Sequence, residues 1–376
     1  MRSRTARPGR VVVVGRGEPE RGGIPSFLAM LVDAQEALGR EVVLVNLSEG
    51  ARREGGRASW SNLTRTFTDG LRVLRTARSG DVVHVHSALA PTVTCVRAGL
   101  LLRAARLRGA RTVLHAHGGR IVGSLTSPAR RAVTRISLRP ADAVIAVSVR
   151  VRDTLVEAGL DPARVRHLPN GVDVDRFADA VRPASRPHDP PRVLFVGGIT
   201  ARKGVLDLLQ ASSTLLAEGV AHEVRLVGGV PDEGERSHDE VRDALPPQAV
   251  MVGPVDPADI PAAYDGADVF CLPSWWEAMP LTVLEAQAAG LPVVASDVGD
   301  VATMVQDGVT GRLVPPRDPA ALADALRPLL RDTATRRRMG EAGQERMREN
   351  FDVARLLGRL GALFDEVLGR AGEGES

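Results

Sequence analysis

Lysine is almost missing from this chain: 48 of its 49 basic residues are arginine, and Lys203 stands alone. A single lysine in so arginine-biased a sequence marks a position that needs a compact ammonium rather than a planar guanidinium fork. Cysteine is nearly as scarce. Cys95 and Cys271 both lie in apolar surroundings, give neither a disulfide framework nor a zinc-ligand spacing, and suit a reducing cytosol. No window approaches about 18 uninterrupted apolar residues, and the run 11–14 after the basic N-terminus is too short for a signal peptide or a span. A cytoplasmic protein is expected. Aromatic residues make up only 3%, and no helix-turn-helix, RNA-recognition or zinc-finger signature is present, so no nucleic-acid partner is expected.

What is present is an alternation. The length of 376 residues exceeds one ordinary core and suits two domains. Short Val-rich runs at 11–14, 42–45, 82–86, 112–117, 143–147 and 165–168 alternate with helical segments, at 24–38, 63–78 and 92–108 among others. A second series runs through 193–196, 224–227, 250–252, 269–272 and 293–295. Such alternation predicts an α/β protein with two Rossmann-like domains, their parallel sheets covered on both faces and facing one cleft. Residues 1–180 form the first domain, a Pro-rich linker covers 181–191, and 192–352 form the second. Residues 51–60 are polar and irregular and read as a mobile loop near the cleft.

The net charge of +3 hides a division. Residues 1–185 carry 30 basic and 16 acidic side chains, residues 186–376 carry 19 and 30. A basic half without a nucleic-acid signature points to an anionic bilayer or a phosphate-bearing lipid substrate. Docking of the basic half on the acidic one is the plainer explanation.

The richest stretch is 267–299. It reads as strand, loop, helix and strand, with Glu277 in the loop, Glu285 in the helix, and Gly290 and Pro292 ending it. The backbone N–H groups of Ala278, Met279 and Leu281, with Pro280 where a first helical residue is tolerated, sit where a helix start holds a phosphate or sugar hydroxyls. Trp275 and Trp276, two of only three tryptophans, suit a sugar pocket better than a packed core. Lys203, with Arg202 before it and Gly204 after it, likewise falls between a strand and a helix, at a phosphate position. His84, His86, His115 and His117 make two His-x-His pairs, each on one strand face. They are candidate metal ligands, although no acidic residue or cysteine stands close to either pair.

The spacing of Glu277 and Glu285 within P-S-W-W-E-A-M-P-L resembles the E-x7-E element of glycosyltransferase family 4, retaining enzymes with the GT-B fold. The resemblance extends over Gly22-Gly23, His117-Gly118, the turn from Pro169 to Asp173, Lys203-Gly204 and the turn D-G-V-T-G-R-L-V-P. It implies a sugar moved from a nucleotide-diphosphate donor to an acceptor hydroxyl of a carbohydrate or lipid, in polysaccharide, glycolipid or other glycoconjugate biosynthesis. Gly22 and Gly23 would then let the backbone approach the diphosphate, and Lys203 would bind it. Glu285 would accept from the ribose hydroxyls, Glu277 and the adjacent N–H groups would orient the sugar, and His117, favoured over His115, would contact it. No metal or other cofactor is implied, and Asp173-Val174-Asp175 is structural. The final helix, 353–376, would fold back on the first domain, with peripheral attachment at the inner membrane face. Two departures stand out. Gly198 occupies a position where relatives carry arginine, a charge Arg202 is expected to supply, and the segment 298–304 lacks the usual G-G-x-x-E. The rivals are a nucleotide-sugar epimerase of the same fold and a metal-dependent hydrolase built on the histidine pairs.

Overall fold

The computed structural model describes residues 9–20, 22–48, 60–181, 187–229 and 235–369. The chain divides into two compact units, one running to Pro169 and resuming at Leu356, the other Asn170–Arg355. In each, short runs of β-branched residues pair into a parallel six-stranded sheet whose central strands are buried on both faces.

The strands of the first unit are β1 (Val11–Gly15), β2 (Val42–Asn46), β3 (Val82–Ser87), β4 (Arg111–Ala116), β5 (Ala143–Ala146) and β6 (Val165–His167). Their order is β2-β1-β3-β4-β5-β6, so the chain reverses its direction of travel across the sheet between β1 and β3. On one face Val12, Val14, Val83, Val85 and Leu114 pack with Leu101, Leu102 and Leu138 of the helices Thr92–Arg106 and Pro128–Leu138. On the other face the register sets His84 beside Val13 and His86 beside His115. Phe27 of the helix Gly23–Asp33 and Phe364 of the helix Val353–Gly369 pack their rings there.

That last helix is held mainly by its apolar seam. Leu356, Leu357, Leu360, Leu363, Phe364 and Val367 are buried, and one such side chain contributes about 1.5–3 kcal/mol. Its ion pairs, Arg40 with Asp365 and Arg166 with Glu366, have exposed carboxylates, and exposed pairs contribute about 0–1 kcal/mol.

The second unit holds β7 (Arg192–Val196), β8 (Glu223–Val227), β9 (Ala249–Gly253), β10 (Val269–Leu272), β11 (Val293–Ser296) and β12 (Gly311–Val314), in the order β12-β11-β10-β7-β8-β9. Here the reversal lies between β7 and β10. The division at Pro169/Asn170 precedes the Pro-rich segment because the residues after it pack into this unit. Asn170 donates to the Met279 carbonyl at 2.9 Å, and Phe177 meets Tyr264 edge-on at 5.5 Å. Asp173 caps the helix Val174–Ala180 by accepting from the Arg176 N–H at 3.0 Å. Residues 182–186 of the expected linker, and 51–59 of the expected loop, lie outside the described residues.

Several local readings differ from the structure, and short helices such as Ile260–Asp265 and Val174–Ala180 are unexpected from the sequence. The helix expected over 24–38 breaks at Ala34 into Gly23–Asp33 and Gln35–Leu38. The helix Pro128–Leu138, capped by Ser127 with Pro128 at its first position, has no counterpart in the sequence reading, and neither does β12. The helix carries few large apolar residues among its arginine and hydroxyl side chains, and β12 is short and alternates only weakly.

Candidate functional site

In open parallel sheets ligands sit beyond the strand carboxyl ends where the strand order reverses. In the second unit that place is the ends of β7 and β10, and the chain delivers Lys203 and Glu277 to it. After β7 the backbone turns through Gly197 to the short 3-10 turn Ala201–Lys203 and Gly204. Gly204 has φ +65, and a Cβ there would meet the Pro273 carbonyl oxygen at 2.0 Å, so only glycine lets the two loops touch. Trp275 N–H donates to the Arg202 carbonyl at 2.8 Å and locks the loops together. Lys203 Nζ then reaches Glu277 Oε1 at 2.5 Å, and Ser274 Oγ donates to the same oxygen at 2.8 Å. Both charged side chains are only 14% and 11% exposed.

The two tryptophans beside this pair are half-buried rather than packed into the core. Arg317 lies over the Trp275 ring at 4.2 Å and Arg202 over Trp276 at 4.5 Å. Trp275 Nε1 donates to Asp207 at 2.8 Å. Arg202 and Lys203 therefore diverge, one to an indole face and the other to a carboxylate.

Glu285 lies on the helix Leu281–Ala288, whose N-cap Pro280 is extended and offers no side-chain cap. Val283 N–H donates to the Pro280 carbonyl at 3.3 Å, so in the first turn the N–H groups of Leu281 and Thr282 are left for a ligand. Ala278, Met279 and Pro280 are buried, and the carbonyls of Ala278 and Met279 accept from Asp300 N–H and the Asn170 amide. Gly299, at φ +58, comes so close that a Cβ would lie 2.3 Å from the Glu277 carbonyl oxygen. The segment that departs from the family pattern here braces the Glu277 loop.

Tyr264, fully buried, donates to Glu285 Oε2 at 2.7 Å. Burial pushes the Glu285 carboxyl up, against the opposing pull of the Tyr264 hydrogen bond and of Arg176. Burial and the neighbouring carboxylate push the phenol well above its ordinary value, so Tyr264 keeps its proton and stays a donor. Sequence reasoning passed over Tyr264, yet it carries the same signal as Lys203: it is the only tyrosine in the chain.

In the first unit Gly22, with φ +131, precedes the helix Gly23–Asp33, which has no side-chain cap. Both glycines are exposed and a Cβ at either would meet nothing within 4 Å. Conformation, not space, calls for glycine at Gly22. His117 follows β4, is half-buried, and is the most open of the four histidines; His84 and His115 are 0% exposed and His86 6%. His117 Nε2 lies 2.8 Å from His86 Nδ1, leaving its Nδ1 for other partners. Burial lowers His84 and His117 to about 3, and His86 and His115 well below their ordinary value. All four rings are neutral at neutral pH.

The fold and these residues have counterparts. The Glycosyltransferase Family 4 model matches residues 21–176, and the Glycosyl transferases group 1 model matches 190–332. The chain is 33% identical over 332 residues to phosphatidyl-myo-inositol mannosyltransferase of Mycobacterium leprae, spanning 88% of this chain and 83% of that one. Among solved structures, sucrose-phosphate synthase of Thermosynechococcus elongatus matches with TM-score 0.79 and 24% identity, over 96% of this chain and 100% of that one. HepE of Anabaena in complex with UDP-glucose matches with TM-score 0.75 and 18% identity, over 95% and 99%. These structural neighbours share the GT-B fold. With both halves matched by glycosyltransferase models and a relative aligned along most of its length, the chain belongs to glycosyltransferase family 4 and is a glycosyltransferase.

Proposed function

We propose that this glycosyltransferase is a retaining enzyme that takes its sugar from a nucleotide-diphosphate donor and passes it to a hydroxyl of a lipid-linked or carbohydrate acceptor. The observation that carries the reading is the Lys203–Glu277 pair at the strand-order reversal of the second sheet. A lysine held against a carboxylate is a preformed cation. When a donor binds, its diphosphate offers that ammonium a second anionic partner, and charge building on the leaving phosphate strengthens the attraction. Arg202 supplies the second cation in place of the arginine absent at Gly198 by swinging from the Trp276 ring, over which it lies at 4.5 Å, toward the diphosphate. Glu277, released in part from Lys203, and the free N–H groups at the start of the helix Leu281–Ala288 orient the sugar hydroxyls. Glu285 accepts from the ribose hydroxyls, chiefly through Oε1, because Tyr264 already serves Oε2.

In the first unit, the open backbone at Gly22-Gly23 approaches the diphosphate and His117 Nδ1 contacts the transferred sugar. Retention follows from same-face attack, the leaving phosphate taking the acceptor proton as the acceptor oxygen bonds to the anomeric carbon. No side chain then forms a covalent intermediate. Thermal-shift screening of UDP-, GDP- and ADP-sugars identifies the donor, since binding to the folded state raises the melting temperature. NMR of the product then reads the anomeric configuration. An inverted product overturns the retaining mechanism; absence of any shift with every nucleotide sugar overturns the donor assignment.

A lipid acceptor is favoured by one surface. The stripe Val93, Val96, Leu100 and Leu107 of the helix Thr92–Arg106 and its C-cap is exposed, as is Ile136 of the neighbouring helix. Arg106 at the end of the first helix and Arg130, Arg131, Arg135 and Arg139 on or next to the neighbouring helix are exposed as well. Beside it lies a cavity of about 870 Å³ lined by Arg103, Arg106, Arg139 and Arg164 together with Leu107 and Asp142. Exposed apolar residues and exposed arginines on the same two helices suit peripheral attachment to an anionic bilayer, at the cytoplasmic face in this reading. Among the described residues no helix is long and apolar enough to cross a membrane.

A further inference from the structure

We propose that His84, His86 and His115 bind one divalent transition-metal ion of the zinc class, and that this ion fixes the tautomer of His117 through His86. Strand period two puts His84 and His86 on one face of β3, and the parallel register places His115 directly beside His86. One ring nitrogen from each of the three lies within 4.8 Å of the other two. Zn–N bonds of about 2.0–2.1 Å require these nitrogens to draw closer by turning of the rings.

The buried nitrogens ask for a partner. His84 Nδ1 and Nε2, His86 Nε2, and His115 Nδ1 and Nε2 make no hydrogen bond. Their ring neighbours, besides one another and His117, are Phe27 and Phe364, which offer none. Each neutral imidazole has one donor and one acceptor nitrogen, so the cluster carries acceptor lone pairs where no donor from the described residues reaches. Three imidazoles suffice for a first-row metal, with a fourth position for water. The sequence reading set a metal aside because neither pair has an acid or cysteine close by. A ligand set of three imidazoles needs neither.

His86 gives the ion a consequence. Its unpartnered nitrogen is Nε2, while Nδ1 faces His117 Nε2 at 2.8 Å. A metal on Nε2 makes Nδ1–H a donor, so His117 Nε2 must accept and its own proton must sit on Nδ1. His117 would then present a fixed N–H to the sugar. This last step rests on the role proposed above for His117; the metal site does not. His84, His86 and His115 are positioning residues in this scheme.

The test uses untagged full-length protein, stripped with a chelator and titrated with Co2+ and then Zn2+ without any nucleotide sugar. One equivalent of Co2+ with four-coordinate ligand-field bands, displaced by Zn2+, is expected, and His84→Ala and His115→Ala should each weaken binding more than tenfold. On wild-type protein labelled with 15N-histidine, Zn2+ should shift the ring nitrogens of His84, His86 and His115 and leave His117 protonated at Nδ1. That readout stands even if the variants fail to fold. Absence of stoichiometric binding, binding that survives both substitutions, or unshifted ring nitrogens in the cluster overturns the site. Zinc binding with His117 protonated at Nε2 overturns the tautomer step. Since no donor is present, failure here and failure of the donor assignment are separate results.

Discussion

Tyr264 and Glu285 are bound as donor and acceptor at 2.7 Å, on the helices Ile260–Asp265 and Leu281–Ala288. Their pairing separates stability from function. Burial raises the Glu285 carboxyl above its unfolded value of 4.5, so the folded state holds that proton more tightly than the unfolded chain does. The stability linked to it is fully present below pH 4.5 and is lost as pH rises through the folded value. Above that window the ionised carboxylate costs stability. Glu285→Gln keeps an acceptor for Tyr264 without the charge and should melt higher than wild type at about pH 8, with the gap closing near the unfolded value. Its affinity for the donor's nucleotide diphosphate should fall at least about tenfold, because a charged acceptor is worth roughly 1.5–3 kcal/mol per hydrogen bond. Differential scanning at both pH values and calorimetric titration check it. A variant that melts no higher at the alkaline pH removes the buried-charge argument.

Lys203 is argued to act as a compact charge, which the conservative variant tests. Lys203→Ala should lower kcat/KM by about 100- to 1000-fold, the scale for losing one group that stabilises a developing anion. Lys203→Arg should recover little of it, because a planar fork does not reproduce an ammonium 2.5 Å from Glu277 Oε1 beside the Ser274 hydroxyl. Steady-state transfer assays with the donor found by thermal shift decide this. Full activity in the arginine variant would show that charge alone is needed.

How much of this is legible in the sequence follows from where each signal lives. Strands such as β1 and β10 are continuous apolar runs because both faces are covered, so sequence finds them. The edge strand β12, GRLV, pairs on one side only and carries an exposed arginine, so its pattern is faint. Lys203 is visible through composition and its glycine context, and Glu277 through its motif. Their ion pair is not, because it depends on the Gly204–Pro273 approach across the sheet. Asn170 shows a similar limit. It reads as part of a turn, and only the fold brings it to the backbone of Met279.

That approach is itself testable. In Gly204→Ala the alanine backbone must keep a left-handed conformation, costing about 1–2 kcal/mol, and the new methyl must also move away from the Pro273 carbonyl it would meet at 2.0 Å. The Trp275–Arg202 backbone bond lies in the same contact, so the loops should part and carry Lys203 away from Glu277. Destabilisation of about 2 kcal/mol or more by urea denaturation, with weaker nucleotide binding, is expected. Unchanged binding would mean that the ligand site does not depend on this contact.

The exposed stripe of the first unit yields the last expectation. Leu100 is 45% exposed and Leu107 79%, so replacing either with aspartate should cost the fold little. On a bilayer the same change removes apolar insertion and adds repulsion from anionic headgroups. Each arginine near such a surface contributes about 1 kcal/mol, so three or four of Arg106, Arg130, Arg131, Arg135 and Arg139 suffice for reversible attachment. Wild-type protein should sediment with vesicles rich in anionic lipid and be released by salt, since the attraction decays over a Debye length of about 8 Å at physiological ionic strength. Leu100→Asp with Leu107→Asp should abolish sedimentation at every salt concentration while leaving the melting temperature within a few degrees of wild type. Charge reversal at Arg131 and Arg135 should shift the salt dependence instead. If wild-type protein ignores anionic vesicles at low salt, the surface does not meet a membrane. A soluble carbohydrate acceptor then takes the place of the lipid.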